Sequence, residues 1–236
     1  MNTTTYTPTT LSEFVFGNDE SKQLIKDIVS GDLPLPFSGK TGILLYGTFG
    51  TGKTTLAKLL PGLIEQAHSG EELGMEAEFF GCQQGHTGTA ILDLVKRQLS
   101  VSSFNKSKLH YYIFDEVDSL SKTAQAGLKT TLNSPRAVFV LTTNNISQLD
   151  KGVKDRCVLV EMNAAKDTDF LPLARRIAAD EGVFLNDEQL LAAIAGNAGS
   201  FRSVTFAVML LTKRTKRQAE EAANIAAASL QKAARK

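Results

Sequence analysis

The 236-residue chain has no tryptophan, only two cysteines and three histidines, and no surplus of charge of either sign. Each scarcity excludes something. Cys82 and Cys157 lie far apart and form no C-x-x-C, so neither a disulfide framework nor a zinc site is indicated. A reducing, cytoplasmic setting is the expectation. His68, His86 and His110 are scattered and suggest no metal cluster. No stretch approaches the roughly 18 consecutive apolar residues of a membrane-spanning helix. Residues 1–10, polar and Thr-rich, lack the charged segment and apolar core of a secretion signal and read as a flexible N-terminus. Lys plus Arg number 26 and Asp plus Glu 25, a net charge of +1, which gives no whole-chain argument for nucleic acid.

What is present suits a soluble globular protein, with 42% hydrophobic and 22% charged residues. The chain is long enough for one large domain or two small ones. Its organising stretch is Lys40 to Leu60. An apolar run, Gly42 to Tyr46, leads into Gly47-Thr48-Phe49-Gly50-Thr51-Gly52-Lys53-Thr54, followed by Thr55 and by Leu56, Leu59 and Leu60 at helical spacing. This fits G-x-x-x-x-G-K-[ST], the loop that cradles phosphates. Glycines let successive N–H groups turn inward around phosphate oxygens, and the helix that follows adds its positive N-terminal end. Lys53 is placed to reach the β- and γ-phosphates and the Thr54 hydroxyl to ligate Mg²⁺. ATP with Mg²⁺ is therefore the expected ligand.

Apolar strand patterns at Gly42–Tyr46, Glu76–Phe80, Leu109–Phe114, Ala137–Thr142 and Cys157–Met162 alternate with helical patterns at Thr89–Leu99 and Ser121–Leu132 and a short one at Ile146–Asp155. Such alternation implies a parallel sheet with right-handed crossovers. Beyond Asn163 the pattern is helical alone, over Asp167–Asp180, Asp187–Ile194, Phe201–Leu211 and an Ala-rich segment from Arg214. The expected organisation is an α/β core over residues 11–163, a helical domain over 164–212 and a basic Ala-rich helix or tail over 213–236. Thr212 to Lys236 carries seven Lys or Arg against two Glu, a local +5, leaving −4 for the remainder.

The third strand ends in Asp115 and Glu116. In a parallel sheet its carboxyl end lies at the same edge as the phosphate loop. Asp115 is placed to hold Mg²⁺, directly or through water, and Glu116 to polarise a water for attack on the γ-phosphate. Val138 to Asn145 is another apolar strand ending at that edge, where Asn144 or Asn145 is available to the γ-phosphate or the water, or the pair forms a turn.

The succession Asp115-Glu116-Val117-Asp118, then Ala124-Gln125-Ala126-Gly127-Leu128-Lys129, then Leu141-Thr142-Thr143-Asn144-Asn145, then Asp155-Arg156-Cys157, resembles the clamp-loader branch of the AAA+ ATPases. Replication factor C small subunits and the bacteriophage T4 clamp-loader ATPase subunit show the same order of motifs. The resemblance covers roughly Leu11 to Leu211. It implies an α/β P-loop NTPase core with a five-stranded parallel sheet and a small all-helical AAA+ lid. It also implies ATP hydrolysis. On matching positions, Asn144 resembles the sensor-1 residue and Arg156 the arginine finger, which in the family reaches the neighbouring subunit's ATP. Arg202, in Gly199-Ser200-Phe201-Arg202, resembles the sensor-2 arginine. Phe16 and Gly17 resemble the segment flanking adenine, and Gln125 a glutamine that couples the catalytic site to neighbouring contacts.

Two departures accompany the resemblance. Asp155 stands where the family has a serine before the finger. Clamp-loader subunits also continue into a helical collar beyond the lid, whereas this sequence ends at Lys236. A nucleotide-dependent ring or filament of identical copies, with the finger acting in trans, is therefore expected in place of a preformed pentamer. Duplex DNA is the expected partner, with His86, Thr87, Thr89, Lys122 and Thr123 as candidate phosphate contacts at helix N-termini. The tail cations Lys213, Arg214, Lys216, Arg217, Lys232, Arg235 and Lys236 extend that set. The alternative is a remodeller of protein partners that uses the same engine without DNA.

Overall fold

Five short apolar runs pair as one wholly parallel sheet in the order β2-β3-β4-β1-β5. The computed structural model describes residues 6–82, 88–197 and 199–233. The strands are β1 (Gly42–Tyr46), β2 (Glu78–Gly81), β3 (His110–Asp115), β4 (Ala137–Thr143) and β5 (Cys157–Glu161), and the helices of this part are α1 (Asp19–Ser30), α2 (Lys53–Ser69), α3 (Gly88–Gln98), α4 (Lys122–Thr131) and α5 (Lys151–Asp155). All seven residues of β4 are buried, as expected of a strand covered on both faces.

Alternation along the strands builds two cores. Ile43, Leu45, Tyr111, Ile113, Val138 and Val140 face Ile25 and Ile28 of α1 and Leu56, Leu60 and Ile64 of α2. Leu44, Tyr112, Phe114, Phe139 and Leu141 face Leu92 and Val95 of α3, Leu128 and Leu132 at α4, and Val153 of α5. A helix–sheet–helix sandwich results, the expected α/β class. Register fixes what lies at each edge. Gly42 pairs with Cys157 and Tyr46 with Glu161, so the starts of β1 and β5 share one edge and their ends the other.

Residues 7–164 form this unit; Tyr6 groups with Ala165 onward as a second, helical unit. It consists of α6 (Leu171–Asp180), α7 (Asp187–Ile194) and α8 (Phe201–Ala233), with Ala174, Ile177, Leu190, Ile194, Val204 and Val208 buried. Two helical readings are corrected. Asp167–Asp180 and Ile146–Asp155 each open with a 3-10 turn, Asp167–Phe170 and Ile146–Gln148, before the α-helix. Pro172, at the start of α6, supplies no N–H to continue a helix from before it. The break expected between residues 212 and 213 is likewise absent, and α8 passes through it unbroken. No Gly or Pro interrupts that stretch, and Lys, Arg, Gln, Glu and Ala all favour helix. Only burial changes there: Thr212 is fully buried, whereas residues 216–231 are exposed.

Candidate nucleotide site

The carboxyl edge of the sheet carries the phosphate loop. Its three glycines hold positive φ, Gly47 at 147°, Gly50 at 77° and Gly52 at 92°. Gly47 also has no room for a side chain, since a Cβ there would stand 2.5 Å from the Met162 carbonyl oxygen. Thr51 Oγ1 donates to the Thr48 carbonyl at 3.1 Å, tightening the loop, while Thr48 and Phe49 face outward. Lys53 begins α2 and is only 7% exposed. Its Nζ donates to the carbonyls of Gly47 (3.1 Å) and Thr48 (2.6 Å). Burial lowers its pKa below the ordinary lysine value, while Asp115, Asp118 and Glu116 pull it back up. Thr54 follows and Thr55 is half-buried beside it.

The acidic end of β3 meets this loop directly. Thr54 Oγ1 donates to Asp115 Oδ1 at 2.8 Å. Thr142 Oγ1, at the end of β4, donates to the same oxygen at 2.6 Å and accepts the Glu116 N–H at 2.9 Å. Glu116 itself has a left-handed backbone, φ 60°, which turns the chain out of the strand and leaves its side chain exposed. Thr143 Oγ1 donates to Asp118 Oδ1 at 2.8 Å. The next residues separate the two asparagines. Asn145 Oδ1 accepts from Ser147 N and Oγ, capping the 3-10 turn. Asn144, half-buried directly after β4, remains the sensor candidate.

Phe16 packs on the core beside Phe14, ring centroids 6.4 Å apart. Gly17 is required by close approach, because a Cβ would lie 2.5 Å from Asn163 O and 2.8 Å from Ala164 O. Phe14 lies under the loop, its ring 3.5 Å from where a Gly52 Cβ would sit. Phe14 carries no motif of its own, and Thr142 and Thr143 stand in the Leu141-to-Asn145 motif without a role assigned to their hydroxyls. The signal available in the sequence was two hydroxyls closing a strand otherwise apolar, since buried hydroxyls need partners.

Within the α/β unit, one expected residue is not gathered here. Arg156 lies at the opposite sheet edge, immediately before β5, and its guanidinium is held there. Nε donates to Asn133 Oδ1 at 2.6 Å and Nη1 to the Gly152 carbonyl at 2.8 Å. Its carbonyl accepts from Thr41 N and Gly42 N, each at 3.1 Å. Lys40 Nζ bridges the carbonyls of Asp155 (2.8 Å) and Cys157 (2.9 Å). Gln125, 5% exposed, ties α4 to the segment before Arg156 by accepting the Asp150 N–H at 2.8 Å. Arg202 belongs to the helical unit, exposed in the first turn of α8, whose start is capped by Ser200 Oγ accepting the Ser203 N–H at 3.2 Å.

Of the DNA candidates, His86, Thr87, Arg235 and Lys236 lie outside the described residues, and only the backbone is described at Thr89 and Lys232. At α4 the Ser121 hydroxyl accepts the Ala124 N–H, and Lys122 and Thr123 are exposed residues of the first turn, where backbone N–H groups have no partner within the helix. Lys213 is engaged with Glu181, Nζ to Oε2 2.5 Å; Arg214, Lys216 and Arg217 are exposed.

Comparison with known proteins agrees with this geometry. The chain is 24% identical over 218 residues to replication factor C small subunit 2 of Pyrobaculum islandicum, covering 92% of this chain and 65% of that protein. It is 28% identical over 203 residues to the replication factor C large subunit of Methanococcus aeolicus, covering 82% and 39%. It is 27% identical over 211 residues to the replication factor C small subunit of Thermoplasma volcanium, covering 84% and 59%. The chain thus spans less than two thirds of these relatives' lengths. In fold it is similar to the RuvB Holliday junction branch migration motor of Thermotoga maritima, with TM-score 0.61 and 17% identity over 90% of this chain and 65% of that one. Residues 43–163 match the family described as "ATPase family associated with various cellular activities (AAA)". With the phosphate loop, the acidic end of β3 and the hydroxyl-bearing end of β4 on one sheet edge and replication factor C subunits among its relatives, the chain belongs to the AAA family and is similar to its clamp-loader-type members.

Proposed function

We propose that this protein is an ATP-hydrolysing switch of clamp-loader type that assembles with copies of itself into a nucleotide-dependent ring or spiral acting on DNA or a DNA-bound protein. One observation carries the reading: Arg156 and the phosphate loop occupy opposite edges of the same sheet. The length of β1 separates them, about 13 Å at roughly 3.3 Å per residue. An arginine fixed there cannot serve its own chain's triphosphate, whereas a neighbour stacked on that edge brings its own loop to it.

In this reading the loop amides and the start of α2 bind the phosphates. Lys53 exchanges the Gly47 and Thr48 carbonyls for β- and γ-phosphate oxygens. Thr54 and Asp115 are hard oxygen donors already in contact, which fits Mg²⁺, an ion that takes one or two protein ligands besides phosphate and water. When bound, Mg²⁺ supplies charge neutralisation at the β–γ bridge. Glu116 orients and deprotonates the attacking water, Asn144 steadies that water or the γ-phosphate, and the partner copy's Arg156 stabilises the charge of the transferring group. Phe16 and Gly17 flank adenine, and Arg202 on the lid reports the γ-phosphate. DNA is held by phosphate contacts from Lys122, Thr123, Arg214, Lys216 and Arg217.

The test is ATPase turnover with and without duplex DNA. Clear stimulation that weakens steeply with salt is expected. Undiminished turnover without DNA, insensitive to its addition, would favour a remodeller of protein partners. Glu116→Gln should lower turnover by about 10²-fold or more while leaving ATP binding intact; unchanged hydrolysis would remove Glu116 from the mechanism.

A further inference from the structure

Two polar side chains of helix α4 and a third just past its end, spaced one turn apart, hold Arg156 and the segment that leads to it. Gln125 holds the Asp150 N–H. Lys129 Nζ lies 3.9 Å from Asp150 Oδ1, and its stem covers Gly152, where a Cβ would stand 2.3 Å from Lys129 Cδ. Asn133, just past the helix, takes the Arg156 Nε–H. Below them the backbone is pinned by Lys40, Thr41 and Gly42, and Thr41 Oγ1 in turn donates to the Leu132 carbonyl at 2.5 Å, next to Asn133. The platform is thus rigid, and the guanidinium is the part left to be aimed.

A guanidinium has five N–H donors in a fixed plane. Asn133 and the Gly152 carbonyl take one each from Nε and Nη1. The Nη2 amino group is committed to neither. An arginine side chain left to itself keeps its rotamer freedom, and ordering it costs on binding. We propose that Asn133 is a positioning residue for Arg156: by accepting the Nε–H it sets the guanidinium plane in advance and directs the Nη2 edge outward, toward the triphosphate of a neighbouring copy. The proposal rests on the finger acting in trans.

Mixed assemblies test it. Chains carrying Glu116→Gln donate a finger but cannot hydrolyse; chains carrying Arg156→Ala can hydrolyse but donate none. Their mixture should recover turnover that neither shows alone. Adding Asn133→Ala to the donor chain should lower the recovered kcat about tenfold, against the roughly 10³–10⁵-fold that a whole arginine finger is worth, with the KM for ATP nearly unchanged. Adding it to the acceptor chain, which has no Arg156 to aim, should change nothing. Asn133→Asp on the donor, which keeps the acceptor oxygen, should stay within about threefold. A merely structural asparagine would lower turnover equally from either chain. Equal loss from both placements, no loss from the donor, or a loss with Asp as large as with Ala overturns the positioning role. If Arg156→Ala chains alone hydrolyse at the full rate, the trans-finger reading fails first, and that result is distinct from the others.

Discussion

The Thr142 hydroxyl joins two acidic positions at once, donating to Asp115 and accepting the Glu116 N–H. Replacing it with the isosteric valine leaves the Glu116 N–H without its acceptor and Asp115 Oδ1 with Thr54 alone as donor, a loss of about 0.5–1.5 kcal/mol for a hydrogen bond. Thr142→Val should lower the urea midpoint accordingly and reduce kcat more than it raises KM, because the turn that presents Glu116 loses its tether. The two thiols behave oppositely to a reactive pair. Burial pushes Cys82 up to about 12, with Asp115, Asp118 and Glu116 adding to it, and burial likewise pushes Cys157 up to about 12, against the pull of Lys40 and Arg156. Neither should react with a thiol reagent at pH 8 in the native protein, and both should react in urea. At this scale the sequence was legible where chemistry is local. Gly47 to Thr54 and Asp115-Glu116 announce themselves by spelling. The work of the Thr142 hydroxyl does not, although the residue stands in the sensor-strand motif, because its carboxylate partner lies 27 residues away and only the sheet order brings them together.

Between elements, a fully buried carboxylate on α2 holds the loop ahead of β3. Glu65 accepts from Ser107 N (2.9 Å), Ser107 Oγ and Tyr111 Oη (2.9 Å). Burial alone would raise its pKa, but these bonds prevail and hold it below the ordinary 4.5. A depressed folded-state pKa adds stability that is complete above the unfolded value and is lost as pH falls through the folded one. Glu65→Gln should therefore cost about 1–3 kcal/mol in urea unfolding at pH 7, and the gap from wild type should shrink in acid below pH 4.5 while staying constant from pH 5 to 7. The central strands were readable because strands buried on both faces are near-continuous apolar runs, and β1 begins and ends where the run does; β2, half-exposed at the sheet's edge, was expected at Glu76–Phe80 and lies at Glu78–Gly81 instead. The continuity of α8 was not, because periodicity fades once a helix leaves its packing partners, and an exposed helix and a polar tail look alike as sequence.

For the whole molecule, that exposed length separates stability from binding. Truncation after Thr215 removes Lys216, Arg217, Lys232, Arg235 and Lys236 but no buried side chain among the described residues. Stability measured by urea unfolding should change by less than about 0.5 kcal/mol. If the tail binds DNA, the slope of log affinity against log salt should flatten by roughly 0.9 for each phosphate that the truncated chain leaves unneutralised; an unchanged slope would confine DNA binding to the body. The α/β class could be foreseen from alternation alone, whereas that β5 lies directly beside β1, setting Arg156 next to the start of the strand that carries the phosphate loop, needed the register of β5 on β1. That register has a consequence for counting. In the proposed assembly, copies joined donor edge to acceptor edge stack with polarity, and such an interface is heterologous. An open stack of n copies then holds n − 1 finished engines, its terminal copy always idle, whereas closure into a circle finishes all n. If the proposed assembly holds, specific activity should climb with protein concentration as copies join, and a concentration-independent specific activity would count against it.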